Sequence, residues 1–259
     1  MLAVKIIKHS IKLKHNNNKH LIFLWAFCSV SMAATDGIDL QNPDLVKRAF
    51  KPAFQNGEGT FNPVYEGFEY TVEKPSEKDY DYRLYRPASL KASHDFEVIG
   101  RFKNDTVAES SREAASVGIE IYQQRNLSNR LATELSVARL EGYFSRTVFS
   151  QVVENGKKKT ECFSADLRLP AETTLKLSYQ SSEKVFSVYY QSDETEVLEW
   201  VFVGSFGIAG SGGENGNANW RMRSSENFLI YIYGFSKNMK VYEGEAQIHA
   251  LAINNGTTE

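Results

Sequence analysis

From Tyr80 to Ile253 the chain is written in short runs that alternate apolar and polar residues with a period of two. In "DFEVIGRFK", Phe96, Val98 and Phe102 fall on one side and Glu97 and Arg101 on the other. In "ASVGIEIYQ", Val117, Ile119 and Ile121 alternate with Gly118, Glu120 and Tyr122, and "ATELSVARL" sets Leu135 and Val137 against Glu134 and Ser136. Successive side chains of a strand point to opposite faces, so each run has one face to bury. Seven further runs follow the same rule, among them "GYFSRTVFSQVV", "TLKLSYQ", "KVFSVYYQ" and "NFLIYIYGF". About ten such runs, each bounded by turn residues, predict an all-β sandwich or barrel of antiparallel sheets. Nothing between them reads as a long amphipathic helix.

The ends follow other rules. Lys5, Lys8, Lys12, Lys14 and Lys19 form a basic segment without an acid, and the apolar run "LIFLWAFCSVSMAA" follows. That run is shorter than the roughly 20 apolar residues a membrane span requires. Its small residues before Ala34 match a signal-peptide cleavage site. The expectation is a signal peptide over residues 1–33 and a secreted or periplasmic protein that keeps no membrane segment. Residues 34–78 read as a leader. In it "QNPDLVKRAFKP" offers Asn42 as a helix cap, Pro43 at the first helical position and Pro52 as the stop. The sandwich is expected over 79–253, with a tail at 254–259.

Charge and cysteine narrow the function classes. The chain has 30 Lys and Arg and 32 Asp and Glu, and removing the leader's five lysines leaves 25 against 32, a net charge of −7. A mildly acidic chain without a basic cluster excludes nucleic acid as a partner, because that affinity comes from grouped Lys and Arg. Of the two cysteines, Cys28 leaves with the signal, so Cys162 has no partner and the core alone must hold the fold. Asn104, Asn126 and Asn255 each begin an N-x-[ST] sequon.

The stretch "LKLSYQSSEKVFSVYYQSDETEVLEWVFVGSF" resembles the central hairpin of concanavalin A-like jelly rolls, in particular the laminin-G-like and bacterial members. In those a strand ends in Tyr-x-Ser-Asp and a tryptophan follows. "FLIYIYGFS" and "GEAQIHALAI" fit that family's last two strands. One departure is the turn, where the family's Asp-Gly is replaced by the longer, acidic "SDETEVLEW". The resemblance implies a two-sheet antiparallel jelly-roll sandwich, and a superfamily of lectins, glycanases, polysaccharide lyases and adhesion modules among which fold does not choose.

Sugar recognition needs aromatic faces and a few hydrogen-bonding groups in a groove. Tyr122, Tyr231, Tyr233 and Trp220 could supply rings, and Glu120, Glu134, Arg146 and Gln247 hydrogen bonds. Trp220 closes the Gly/Asn-rich segment "AGSGGENGNANW", expected to be an exposed, mobile loop, and "RMR" sets Arg221 and Arg223 beside it. Parity puts Glu245, Gln247 and His249 on one face of the last strand, where His249 could titrate near neutral pH. Glu120, Tyr122, Gln247 and His249 are thus expected on one face of one sheet.

Enzymatic alternatives use the same groove. A glycoside hydrolase needs two carboxylates across one bond; no Glu-x-Asp-x-x-Glu string occurs, and Glu134 and Glu141 fall on opposite faces of any regular strand. "QIH" at Gln247, Ile248 and His249 is similar to a strand of jelly-roll alginate lyases, but it stands last in this chain and in the middle of those enzymes. If catalysis occurs, His249, Glu134 and Glu120 are its candidates. A structural or adhesion module without a glycan site is the third reading. Calcium, a frequent lectin ion, would need clustered oxygens, and Asp193, Glu194 and Glu196 are near one another. No cofactor is otherwise expected. The leading expectation is non-catalytic binding of a glycan or polysaccharide on the concave sheet.

Overall fold

The computed structural model of the chain describes residues 51–56, 59–64, 67–72, 80–192, 199–237 and 246–255. They form fourteen strands and, among the described residues, no helix. The strands are β1 (Lys51–Asn56), β2 (Gly59–Val64), β3 (Gly67–Val72), β4 (Tyr80–Lys91), β5 (Phe96–Asn104), β6 (Ala114–Gln123) and β7 (Asn126–Leu140). They continue as β8 (Tyr143–Glu154), β9 (Lys157–Phe163), β10 (Glu172–Gln180), β11 (Val185–Ser192), β12 (Val201–Gly207), β13 (Asn227–Lys237) and β14 (Ala246–Asn255). Two seven-stranded sheets result. The first has the order β1-β4-β13-β6-β7-β8-β9, the second β12-β11-β10-β5-β14-β3-β2, and every pairing within them is antiparallel. This is the two-sheet sandwich that the alternation predicts, in the antiparallel jelly-roll form that the resemblance implies.

Local chemistry sets the hairpins. Two-residue turns join β7 to β8 through Glu141 and Gly142, and β8 to β9 through Asn155 and Gly156. All four residues have positive φ, 52° and 87° in the first turn and 50° and 76° in the second. A mirror-image turn demands this at both central positions, and its twist suits the flanking strands.

The inner faces meet as the alternation predicts. Val117, Ile119 and Ile121 of β6, Leu131 and Leu135 of β7 and Ile230 and Ile232 of β13 are fully buried. Across from them stand Val98 and Phe102 of β5, Leu175 and Leu177 of β10 and Phe186 and Val188 of β11. Each such side chain contributes about 1.5–3 kcal/mol on burial. At one end of the sandwich Phe96, Tyr179, Phe186, Trp220 and Phe228 form an aromatic cluster, with Tyr179 and Phe186 centroids 4.7 Å apart and Trp220 and Phe228 6.3 Å apart. The Tyr179 hydroxyl donates to the Ala92 carbonyl at 3.1 Å, which satisfies its polar end inside that cluster.

The sandwich starts earlier than the sequence suggests. Residues read as a leader supply β1, which pairs with β4, and β2 and β3, which extend the second sheet beyond β14. The pattern from Lys51 to Val64 is broken by prolines and polar residues, as the edge positions of β1 and β2 allow, while β3 lies between β14 and β2. The signal peptide and the helix expected up to residue 50 lie outside the described residues. Among the described residues, no helix is long and apolar enough to cross a membrane.

Candidate ligand-binding site

The outer face of the first sheet carries a polar strip built by three neighbouring strands. Register sets Tyr231 of β13 beside Glu120 of β6, and Tyr233 beside Gly118, which in turn faces Glu134 of β7. A Cβ on Gly118 would lie 2.2 Å from the Thr133 carbonyl oxygen. With no side chain there, the Tyr233 ring passes over β6, and its hydroxyl donates to Glu134 Oε2. Ser116 Oγ donates to Glu134 Oε1 at 2.8 Å, and Tyr122 Oη donates to Glu120 Oε2 at 2.8 Å. Arg130 Nε lies 3.2 Å from Glu120 Oε1, and the Tyr122 and Tyr231 rings meet edge-on at 4.7 Å. Glu120 and Glu134 are only 2 % and 8 % exposed, so these partners are what make burial of two carboxylates tolerable.

Three residues along β6 the arrangement changes. A bulge follows Tyr122, and Gln123 turns into a cavity of about 340 Å³. The β6–β7 turn supplies Arg125, β7 supplies Asn126 and Asn129, and the β8–β9 turn supplies Asn155. The segment between β12 and β13 supplies Asn219, Trp220, Arg221, Arg223 and Glu226. Its floor is a chain of hydrogen bonds that all point one way. The Asn155 backbone N–H donates to Asn129 Oδ1 at 2.7 Å. Asn129 Nδ2 donates to Gln123 Oε1 at 2.7 Å, and Gln123 Nε2 donates to Glu226 Oε2 at 3.0 Å. Bonds aligned head to tail polarise one another, and the carboxylate is their common end. Gln123, Asn129 and Glu226 are buried, whereas Arg125, Arg221 and Arg223 are exposed.

The segment from Ala209 to Trp220 is exposed at most positions, as its composition predicts, but its own asparagines tie it down. Asn215 Oδ1 accepts from Ser205 N at 2.9 Å, and Asn217 Oδ1 accepts from Gly213 N at 3.0 Å. Asn219 N donates to Glu154 Oε2 at 2.9 Å, which bridges the segment to β8. Trp220 N donates to the Ile208 carbonyl at 2.9 Å. The Asn side chains that suggested a free loop are acceptors for its backbone.

Several expected site residues fall elsewhere. Trp220 does not present its ring from the loop: it is 2 % exposed and packs on Phe186 and Phe228, a plug between core and cavity. Arg146 does not join Glu120 and Glu134. It pairs with Val137, on the side of β8 that carries Val148 and Val152, and Nη1 donates to the Leu169 carbonyl at 3.1 Å. Gln247 and His249 cannot share a face with Glu120 and Tyr122, because β14 belongs to the second sheet and β6 to the first. His249 falls where the β14–β5 register shifts, between Ile248 and Ala250, so simple parity fails there. Glu245, and the calcium candidates Asp193, Glu194 and Glu196, lie outside the described residues. Among the described residues, no three His, Cys, Asp or Glu side chains cluster so as to hold a metal. The Asn104 sequon is spent internally: Asn104 is fully buried, donates to the Ala115 and Leu135 carbonyls, and accepts from Thr106 Oγ1 at 2.6 Å.

What sequence reasoning missed is the floor. Gln123, Asn129 and Glu226 sit at strand ends, where alternation stops and polar residues read as turn. "RMR" was the one signal that pointed to the cavity, through Arg221 and Arg223.

The titratable groups around the core shift as burial dictates. Desolvation pushes the Cys162 thiol up to about 12 and raises the phenols of Tyr179 and Tyr190. On the surface, the Ser181 hydroxyl and backbone N–H hold the Asp95 carboxyl below its ordinary value.

No family model and no curated protein matches the sequence. Solved structures do match in shape. Lectin II from Ulex europaeus superposes with a TM-score of 0.55 at 9 % identity, over 88 % of this chain and 100 % of that one. Metal-free lectin I-B4 from Griffonia simplicifolia gives 0.55 at 9 % identity over 87 % and 100 %. The potassium-bound carbohydrate recognition domain of Emp46p gives 0.50 at 12 % identity over 84 % and 94 %. The fold is therefore a concanavalin A-like jelly roll.

Proposed function

We propose that the protein is an exported, non-catalytic carbohydrate-binding domain whose ligand enters the cavity at the Gln123–Glu226 end of the first sheet. The observation that carries this is the convergence there of five amide side chains, Gln123, Asn126, Asn129, Asn155 and Asn219. A sugar hydroxyl both donates and accepts, and an amide side chain offers both roles within one group. A volume of about 340 Å³ is in the range of small-molecule sites. The hydrogen-bonded floor fixes the amides before a ligand arrives, which lowers the ordering cost of binding. The similar solved structures are lectins or a carbohydrate recognition domain by name, which supports the same reading. Glu120, Tyr122, Glu134, Tyr231 and Tyr233 then serve as the wall beside the cavity rather than as its mouth.

A hydrolase reading has one observation in its favour. Glu120 and Glu134 stand diagonally on adjacent strands of one face, since Glu120 pairs with Ala132. Such positions lie about 7–8 Å apart, within the range two catalytic carboxylates use. Their burial and their Tyr, Ser and Arg partners favour the wall role, because a catalytic pair must present free oxygens to a glycosidic bond. One experiment separates the two: a glycan array probed with the purified protein, with reducing ends and unsaturated products assayed on every ligand bound. Binding without products is expected. New reducing ends that vanish in Glu134→Gln would establish the hydrolase instead, and silence in both assays would leave an adhesion or structural module. Export is checked by the N-terminus of the secreted product, expected at Ala34.

A further inference from the structure

We infer that the cavity selects acidic sugars, those carrying a carboxylate or sulfate, through Arg125, Arg221 and Arg223; this rests on the glycan reading of the same cavity.

The charge balance of the lining comes first. Three guanidinium groups stand against one carboxylate, Glu226. That carboxylate is 1 % exposed, and its oxygens already accept from Gln123 Nε2 and the Arg125 backbone N–H. It offers little negative charge to an incoming group. The chain as a whole carries a net charge of −2, so a local excess of cations is not a reflection of composition.

The second argument is what these arginines do not touch. Other arginines are engaged: Arg101 Nε lies 2.6 Å from Glu172, and Arg130 Nε lies 3.2 Å from Glu120. Among the described residues, no carboxylate lies within ion-pair distance of Arg125, Arg221 or Arg223; Arg125 Nη2 donates only to Ser225 Oγ, at 3.1 Å. All three are exposed at the rim of a concave site. A planar guanidinium binds carboxylate and sulfate through two parallel hydrogen bonds, and such charge-assisted pairs are about twice as strong as neutral ones.

The third argument is conformational. Arg221 adopts φ of +50°, a left-handed conformation that is unfavourable for a non-glycine residue. Its backbone N–H is held by Asn219 Oδ1 at 3.2 Å, and Asn219 is itself tied to Glu154. This backbone turn, pinned by the Asn219 bonds, sets the direction in which the chain leaves Trp220 toward the rim that Arg221 and Arg223 line. Donors outnumber acceptors around the opening, which is the complement of an anion and not of a neutral hydroxyl cluster alone.

The test is titration calorimetry of the purified protein against matched pairs: trigalacturonate and its methyl ester, sialyllactose and lactose, and sulfated and unsulfated galactan oligomers. We expect an acidic member to bind at least about tenfold tighter than its neutral counterpart. The Arg221→Ala/Arg223→Ala variant should lose about tenfold or more of that affinity and most of its salt dependence, with an unchanged melting temperature. Arg221→Lys/Arg223→Lys should recover part, since charge returns without the fork. The carboxylated and sulfated arms identify which anion is read. Neutral members bound as tightly, with the Ala variant unaffected, would overturn the acidic selectivity and leave the glycan reading standing. If no member binds, both fall.

Discussion

Glu120 and Gln123 are three residues apart on one strand, yet they belong to opposite kinds of polar region. Around Glu120 and Glu134 every described partner is supplied by the protein itself, and the two carboxylates are nearly invisible to solvent. Around Gln123 the amides are equally well partnered below, but the arginines above them are exposed and lack carboxylate partners among the described residues. Both regions cost desolvation when the chain folds. The strip recovers it within the fold, so it specifies the sheet. The cavity uses its amides in the floor and keeps its cationic rim exposed and hydrated, so the rim's hydrogen-bonding groups remain open to a ligand. Polar burial alone therefore does not mark a binding site; the partner count at the opening does.

The strongest way to break that contrast is to remove what separates the regions from the core. Trp220→Ala should destabilise the protein by about 4 kcal/mol, the usual cost of emptying a buried tryptophan site. Trp220→Phe should keep most of that stability. Denaturant titration measures both, and a loss under about 1 kcal/mol for the alanine variant would mean that the ring is not the plug its burial implies. Next in size is Glu134→Ala. It strands the Tyr233 hydroxyl and leaves Ser116 Oγ only Ser136 Oγ, at 3.0 Å, and losing a charge-assisted acceptor in a buried network costs about 3 kcal/mol. Glycan affinity at a temperature where the variant is folded should not change. A stable Glu134→Ala protein with lost binding would reverse the comparison and make the strip the site.

The alternation made the sandwich legible because burial on one face is a repeated physical demand. Val117, Ile119 and Ile121, Phe96, Val98 and Phe102, and Phe186 and Val188 all stand where parity puts them. Parity reads one strand at a time, and this limits it for sites. Glu120 and Glu134 form a pair only because β6 and β7 are neighbours in a given register, a fact no single run contains. His249 lies apart from Glu120 for the same reason: its strand joins the other sheet, beside β5 and β3. For Trp220 the sequence left two readings open, a ring presented to a ligand and a plug over the sandwich end, and the structure shows the plug. The asparagines fold the segment back and drop the ring into the aromatic cluster. Strands β1 and β2 lie at sheet edges, where alternation is not required, and β3 is a six-residue run set among their polar and proline-rich neighbours. The arginines beside Trp220 were visible as residues, but their lack of partners was not.

A third prediction asks whether the segment roofing this end stays shut. Cys162 of β9 lies beneath it: a Cβ on Gly204 would come within 2.9 Å of its Sγ and 2.3 Å of Asn215 Oδ1. Burial pushes the thiol from its ordinary 9.0 to about 12, so the fold keeps a proton that the unfolded chain releases. The associated stability is complete below about pH 9 and is lost as pH rises from there toward 12. Going from pH 8 to pH 10 should cost about 1.4 kcal/mol from this group, the equivalent of one pH unit. Tyr179 and Tyr190 shift in the same direction, so Cys162→Ala, which removes the thiol's share alone, isolates it by denaturation at both pH values. Thiol labelling at pH 8 should be slow with and without ligand. Rapid labelling on ligand addition would mean that the segment opens, and the pre-formed cavity would give way to an induced one.

The smallest effect is expected at an acid of the same end that has nothing to do with the cavity. The loop before β5 is tied to this end by Ala92 N, which donates to the Glu226 carbonyl at 2.9 Å. Three residues on, Asp95 Oδ1 accepts from Ser181 Oγ and Ser181 N, each at 2.7 Å, and so closes the β10–β11 turn. Those bonds, the hydroxyl first, hold the carboxyl below its ordinary 3.8. Its stabilisation is thus present above about pH 4 and fades as pH falls through the lowered value. Because Asp95 is exposed, Asp95→Asn should cost no more than about 0.5 kcal/mol. Binding of an acidic glycan should be unchanged in this variant, since the carboxylate faces a turn of the second sheet and not the arginine rim. A several-fold change in affinity would show that charge anywhere at this end tunes the ligand, and the selectivity would then belong to the field of the whole end rather than to three guanidinium groups.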